Sequence, residues 1–418
     1  MLNITRYEKT LKRLYGDRAE KRKRDFEALS EEFEDRYGGR AFDERSAFSV
    51  PGRTEISGNH TDHNRGRVLC ASVDLDIIAV AAPTKDNLIR VKSRGFEEDV
   101  IDLHELSPVD GEKYTSAAII RGVAAGMLKR GFRIDGFCAC TDSDVPKGSG
   151  LSSSAAFENM IGTILSGLFN GGAVDTLTLA QISQEAERNY FGKPCGLMDQ
   201  IACSAGGFAM IDFEDQQAPK IEKIDFSPAE KGYDIFIVAT GGSHASLNAE
   251  YASIPEEMRT VAAFFGKTFM REVAEKQVID NAADLRGMAS DRAVLRALHF
   301  LRENERVAKQ ATALKNGDMK EFLRLARESG LSSARFLQNS YASPAEQGIP
   351  LATAIAESFG EDTVCRVHGG GFAGTVQVFV PHKKSADFVE TMKRVFGEDS
   401  VTKLFIRADG AEKIEEDR

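Results

Sequence analysis

Residues 146–155 read Pro-Lys-Gly-Ser-Gly-Leu-Ser-Ser-Ser-Ala, and this stretch decides the fold. Gly148, Ser149 and Gly150 bring bare backbone N–H groups close together ahead of Leu151. Ser152, Ser153 and Ser154 then add hydroxyls where a helical pattern over 155–168 begins. A glycine turn opening onto a helix N-terminus aims unpaired amides and the positive end of the helix dipole at one point, which suits an anion. No G-x-x-x-x-G-K-[ST] occurs in the chain, so the loop is not a Walker A.

Two further segments share this character. Residues 49–69 (SVPGRTEISGNHTDHNRGRVL) place Arg53, Asn59, His60, Asp62, His63 and Asn64 between two strand-like runs. So many hydrogen-bonding side chains on a glycine-punctuated loop suit a polyhydroxylated ligand. A metal reading of His60, Asp62 and His63 matches no standard ligand spacing. Residues 366–381 (RVHGGGFAGTVQVFVP) lead through Gly369, Gly370, Gly371 and Gly374 into an alternating β-branched strand. That is more glycine than a two-residue turn needs, and it suggests backbone pressed against a ligand.

In this order the three segments resemble the motifs of the small-molecule kinase superfamily of galactokinase, homoserine kinase, mevalonate kinase and phosphomevalonate kinase. Within it the chain is most similar to the galactokinase family. Pro-Gly-Arg and Gly-x-His-Thr-Asp at 51–62 resemble a sugar signature, GKPCGLMDQ at 192–200 an active-site aspartate segment, and Glu250-Tyr251 a sugar-contacting pair. RADG at 407–410 resembles the family's last strand and turn, and the likeness runs from about Phe33 to Ala411. It implies an α+β, two-domain sugar kinase with the active site in the cleft between domains. The expected activity is ATP-dependent phosphorylation of the anomeric hydroxyl of galactose. Galacturonate, N-acetylgalactosamine or a non-catalytic galactose sensor are the alternatives.

Carried over residue by residue, the resemblance gives Asp199 and Arg53 the catalytic roles, and Asn59, His60, Asp62 and Tyr251 the sugar. Gly148 to Ser154, with Gly370 and Gly371, take the nucleotide. Ser154 and Glu187 take Mg2+, which prefers hard oxygen ligands. An arginine beside a carboxylate lowers its pKa, so two roles stay open for Asp199, an early base or an orienting group that takes the proton late. Asn59 stands where the family commonly carries a glutamate associated with the sugar's C6 hydroxyl. Asparagine can donate as well as accept, and it would not repel a C6 carboxylate.

Composition bounds the rest. A chain of 418 residues exceeds one core. A charged, helical segment at 1–30, a first kinase domain at 31–214 and a second at 215–418 are expected, divided at the polar stretch 213–223. A net charge of −10 argues against nucleic acid, and no apolar run is long enough to span a bilayer. The six cysteines are scattered, which fits reduced thiols in a cytoplasm. The protein is expected to act as a monomer. Helices are predicted over 5–36, 115–130, 177–190 and from Pro255 to Gln338, with strands in 47–103, 137–141, 207–212, 233–239, 364–380 and 403–407.

Overall fold

A computed structural model describes residues 2–38, 44–146, 150–242 and 247–417. In α1 (Glu8–Tyr15) and α2 (Ala19–Tyr37), Leu11, Leu14, Phe26, Leu29 and Phe33 recur at helical spacing and are buried. Strands β1 (Ser46–Ser57), β2 (Arg67–Pro83), β3 (Leu88–Ser93) and β4 (Glu98–Asp102) follow. Then come α3 (Ser116–Lys129), β5 (Phe137–Ser143), α4 (Ser153–Phe169), α5 (Thr176–Ala186), α6 (Met198–Ala205), β6 (Phe208–Asp212) and β7 (Lys220–Ile224). The remaining chain runs through β8 (Tyr233–Ala239), α7 (Asn248–Phe264), α8 (Glu275–Asp280), α9 (Ala282–Met288), α10 (Asp291–Lys315) and α11 (Met319–Ser332). It ends with α12 (Gly348–Glu357), β9 (Val364–His368), β10 (Thr375–Pro381), α13 (Ser385–Phe396), β11 (Val401–Leu404) and β12 (Glu412–Ile414).

The strands make two sheets. One is ordered β12-β1-β2-β5-β3-β4, with β6 and β7 joined to β2, and the other β11-β8-β10-β9. Every pairing is antiparallel except β3 with β5. Side chains on a strand alternate between faces, and β2 shows the result. Ile78, Val80 and Ala82 lie under Phe26, Leu29 and Phe33 of the N-terminal helices. Ala79 and Ala81 face the main core, with Ile120 of α3 and Ile161 of α4. That core continues into the second sheet through Ile235, Ile237 and Phe379, capped by Phe322 of α11. The other face of the second sheet lies on Ala352, Ala356, Phe388 and Met392. Among the described residues no helix is long and apolar enough to cross a membrane.

The mixed α+β architecture with two sheets is as the sequence predicts. The boundary that bears most on the site differs. The predicted helix start at Pro255 lies within α7, which begins at Asn248 and places Tyr251 in its first turn. A proline suits a helix start, but burial of Ile254, Met258 and Val261 along one stripe outweighs the loss of a single donor.

Candidate active site

A break in β1 sets the centre of the site. The register of β1 against β2 shifts between Pro51 and Arg53, because proline gives no ladder donor and bulges re-aim the next side chain. Gly52 has no side chain, so the Leu151 carbonyl comes close enough for Arg53 N to donate to it at 3.1 Å. Arg53 then lies buried with its fork on Asp199, Nε to Oδ1 at 2.8 Å and Nη2 to Oδ2 at 2.7 Å. Its third nitrogen, Nη1, donates to the Gly150 carbonyl. Asp199 stands in the first turn of α6 and also accepts from Ser152 Oγ. Burial pushes its pKa up, but Arg53 outweighs this and, with Ser152, holds the carboxyl below its ordinary value. Its side chain is still 33% exposed, and one face remains open.

Ser152 begins α4 in the left-handed conformation, at φ 58°. Ser153 and Ser154 follow in the first helical turn. Together with Glu158 and Glu187 they border a cavity of about 600 Å³. Ile77, Ile119, Phe157 and Phe191 contribute apolar wall to it. Glu187 opens a π-helical turn, Glu187–Phe191, which Gly192 ends in the left-handed region. It is 2% exposed and accepts from Lys193 Nζ at 2.9 Å and from Gln200 Nε2 at 3.0 Å. The same Gln200 nitrogen donates to Glu158 Oε2 at 3.0 Å. Glu158 Oε1 is buried without a partner among the described residues. Burial, and after it the neighbouring Glu187, raises the Glu158 pKa. Two buried carboxylates with an unused oxygen, next to a serine hydroxyl, fit a hard divalent cation. Gly148 and Ser149 lie outside the described residues.

The sugar-signature loop is anchored rather than open. Asn59 is 1% exposed. Its Nδ2 donates to Glu55 Oε1 at 2.9 Å and to the Gly369 carbonyl at 2.6 Å, and Oδ1 accepts from Asn339 at 2.6 Å. Both donors and the acceptor are thus engaged within the protein, which departs from the expectation that this amide holds a sugar hydroxyl. His60, at φ 58°, bonds the Gly370 carbonyl through Nε2 at 3.0 Å. Asp62 approaches the active-site segment so closely that a Cβ at Gly196 would overlap its Oδ2. Burial pushes the neighbouring His63 imidazole down to about 4, so it is neutral at pH 7. Tyr251 donates to the Gly371 carbonyl at 2.9 Å. Gly370 and Gly371 press against Tyr251 and Asn339, where a Cβ would collide. The nearest atoms are the Tyr251 ring for Gly370 and the Asn339 backbone carbonyl for Gly371.

Several supporting residues escaped the sequence reading, namely Glu158, Gln200, His299, Glu303 and Asn339. Glu303 accepts from Ser57 Oγ at 2.8 Å, from Gly58 N at 3.0 Å and from Ser329 Oγ at 2.6 Å, and pairs with Arg306. His299 Nε2 bonds the Asn59 carbonyl at 3.0 Å. The two lie four apart on one face of α10, so this helix holds the loop from beneath. Burial would raise the Glu303 pKa, yet Arg306 and then His299 prevail and lower it to about 2. A carboxylate whose folded pKa is depressed stabilises the fold above its unfolded value, and that contribution fades as pH falls through the folded one. We expect Glu303→Gln to cost about 3 kcal/mol at pH 7. In urea titrations at a series of pH values, the gap to wild type should close between about pH 4.5 and pH 2.

The family model "GHMP kinases N terminal domain" matches residues 117–207, and "Galactokinase galactose-binding signature" matches residues 31–83. A galactokinase of Glaesserella parasuis is 31% identical over 377 residues, covering 88% of this chain and 92% of that protein. The crystal structure of Lactococcus lactis galactokinase complexed with galactose superposes with a TM-score of 0.80 at 25% identity, covering 93% of this chain and 99% of that one. Methanococcus jannaschii mevalonate kinase shares the fold, with a TM-score of 0.62 at 15% identity, over 87% of this chain and 99% of that one. By the extent of the match to the Glaesserella enzyme, the chain belongs to the galactokinase family.

Proposed function

We propose that the protein transfers the γ-phosphoryl group of ATP to the anomeric hydroxyl of galactose, giving galactose 1-phosphate and ADP. The observation that carries this reading is the part-buried Arg53–Asp199 fork, set between the N-terminus of α4 and the loop bearing His60 and Asp62. Phosphoryl transfer needs positioning and charge neutralisation more than covalent help from the protein. Nitrogen donors and Ser152 at the start of α4 suit the phosphates, and the apolar wall of Phe157, Phe191, Ile77 and Ile119 suits the adenine. Asp62, His60 and Tyr251 border the side where the sugar would lie.

Asp199 is ionised at neutral pH and therefore a weak base, which favours the late role. It orients the hydroxyl while the oxygen attacks the γ-phosphorus and the bond to the β-phosphate oxygen breaks. The hydroxyl proton passes to Asp199 as the new bond forms and acidifies it. Arg53 keeps the carboxylate in place and offsets negative charge near the transferring group. Ser154 and Glu187, with Glu158 beside them, would hold Mg2+, which when bound neutralises phosphate charge.

The test is incubation with Mg·ATP and a panel of galactose, galacturonate, N-acetylgalactosamine and arabinose, with products read by phosphorus NMR. Galactose should give an anomeric phosphate at the highest kcat/KM. No turnover of galactose, or a phosphate at another carbon, would overturn the reading.

A further inference from the structure

We propose that the two N-terminal helices position the nucleotide site, with Arg18 clamping Asp144 at the entrance to the serine loop. The proposal rests on assigning ATP to the N-terminus of α4. Arg18, at the junction before α2, donates through Nη1 to the Asp74 carbonyl at 3.0 Å and pairs with the carboxylates of Asp74 and Asp144. One turn along, Arg22 is 1% exposed and pairs with Asp76, with Asp25 at 3.0 Å and with Asp144 at 3.5 Å. Arg407, from the other end of the chain, reaches Asp76 at 3.1 Å, and Tyr15 donates to the same carboxylate at 2.6 Å. Asp144 is also held by backbone, accepting from Asp76 N at 2.7 Å and donating its own N–H to the Asp76 carbonyl at 3.1 Å.

Asp144 follows directly on β5, and what it carries is functional. The next residue, Val145, forms part of the cavity wall beside Ser153 and Ser154. A Cβ on Gly52 would stand 3.3 Å from Val145 Cγ1, so this residue also abuts the bulge that aims Arg53. The cluster sets four carboxylates, Asp25, Asp74, Asp76 and Asp144, against three guanidiniums, Arg18, Arg22 and Arg407. Removing Arg18 leaves these four against Arg22, Arg407 and Lys21, which reaches Asp25 at 3.7 Å, and leaves Asp144 its longer pairing with Arg22 at 3.5 Å, one residue from the cavity wall. Both displacement and repulsion then act against the nucleotide, while the sugar loop rests on α10 and is untouched.

Arg22 is unsuited to the test, since its loss would strand a charge in the interior. Arg18 is part-exposed and can be changed within the full-length chain. For Arg18→Gln we expect the Kd of Mg2+ with a non-hydrolysable ATP analogue, measured by calorimetry, and the KM for ATP to rise about 5–20-fold, because small misplacements of a binding group cost large factors. The KM for galactose and kcat should stay within about threefold of wild type. Arg18→Lys keeps the charge but cannot fork between two carboxylates, and it should fall between the two. If Arg18→Gln does not fold, the lysine variant alone decides, with a threefold or greater rise in analogue Kd as the expected result. Unchanged analogue binding, or an equal weakening of ATP and galactose, would overturn the proposal. A wild-type protein that fails to bind the analogue would defeat the ATP assignment instead.

Discussion

Asp199→Asn is expected to lower kcat for galactose phosphorylation by about 10²–10⁴-fold, the range for losing a positioned proton acceptor. The amide retains the size of the carboxylate, and its oxygen can still accept from Arg53 or Ser152. It cannot take the hydroxyl proton, and it leaves the buried Arg53 charge unmatched. The KM for ATP should change far less, since Asp199 contacts Arg53 and Ser152 and not the cavity wall. Retention of more than a tenth of wild-type kcat in a folded variant would remove Asp199 from the chemistry. The wild-type pH profile carries a related expectation. Arg53 keeps the carboxyl depressed, so no fall in kcat from this group should occur above its ordinary value of about 4. Its contribution to stability is present above that value and lost as pH falls through the lower folded pKa.

The second large effect is expected at Asn59. A glutamate there would place a second carboxylate against Glu55 Oε1, which now accepts from Asn59 and from Arg366 Nη2 at 3.0 Å. It would also remove the donors to Glu55 and to the Gly369 carbonyl. In a fully buried position this should cost about 3–5 kcal/mol, the scale for an uncompensated buried charge. Glu55→Asn combined with Asn59→Glu restores one donor facing one acceptor. A double-mutant cycle read by chemical denaturation should then show a favourable coupling of at least about 1 kcal/mol. Additive losses would mean that the two side chains do not sense each other.

Much of this molecule could be read from its residues, and the failures follow a pattern. The loop at 150–154 stood out because glycines and hydroxyls ahead of a helical pattern have few other uses, whereas the segment at 192–200 was singled out only through family resemblance. Arg53 could be paired with Asp199 only through family resemblance, as 146 residues separate them. The partners of Asn59 could not be read, because polarity states how many hydrogen bonds a side chain can make, and never the direction it faces. Glu303 and His299 looked like ordinary polar residues of a long charged helix. A signal was available there. Arg296, His299, Glu303, Val307 and Gln310 follow the 3.6-residue period of the buried stripe of α10, and polar residues in an apolar register call for partners elsewhere. Gly370 and Gly371 gave the opposite error, since a close approach was inferred and its counterpart is Tyr251 and Asn339.

The order in which a ribosome delivers this chain gives the first sheet an unusual history. Strand β1 is made long before one of its two neighbours, β12, with Ala47 opposite Ile414. Until then β1 presents an unpaired edge, the feature by which nascent chains add to one another. Asp76 must also wait for Arg407, relying on Arg22 alone among its arginines. The half of the protein that carries the serine loop therefore cannot close its own sheet during synthesis. It reaches its final form only when β12 has left the exit tunnel.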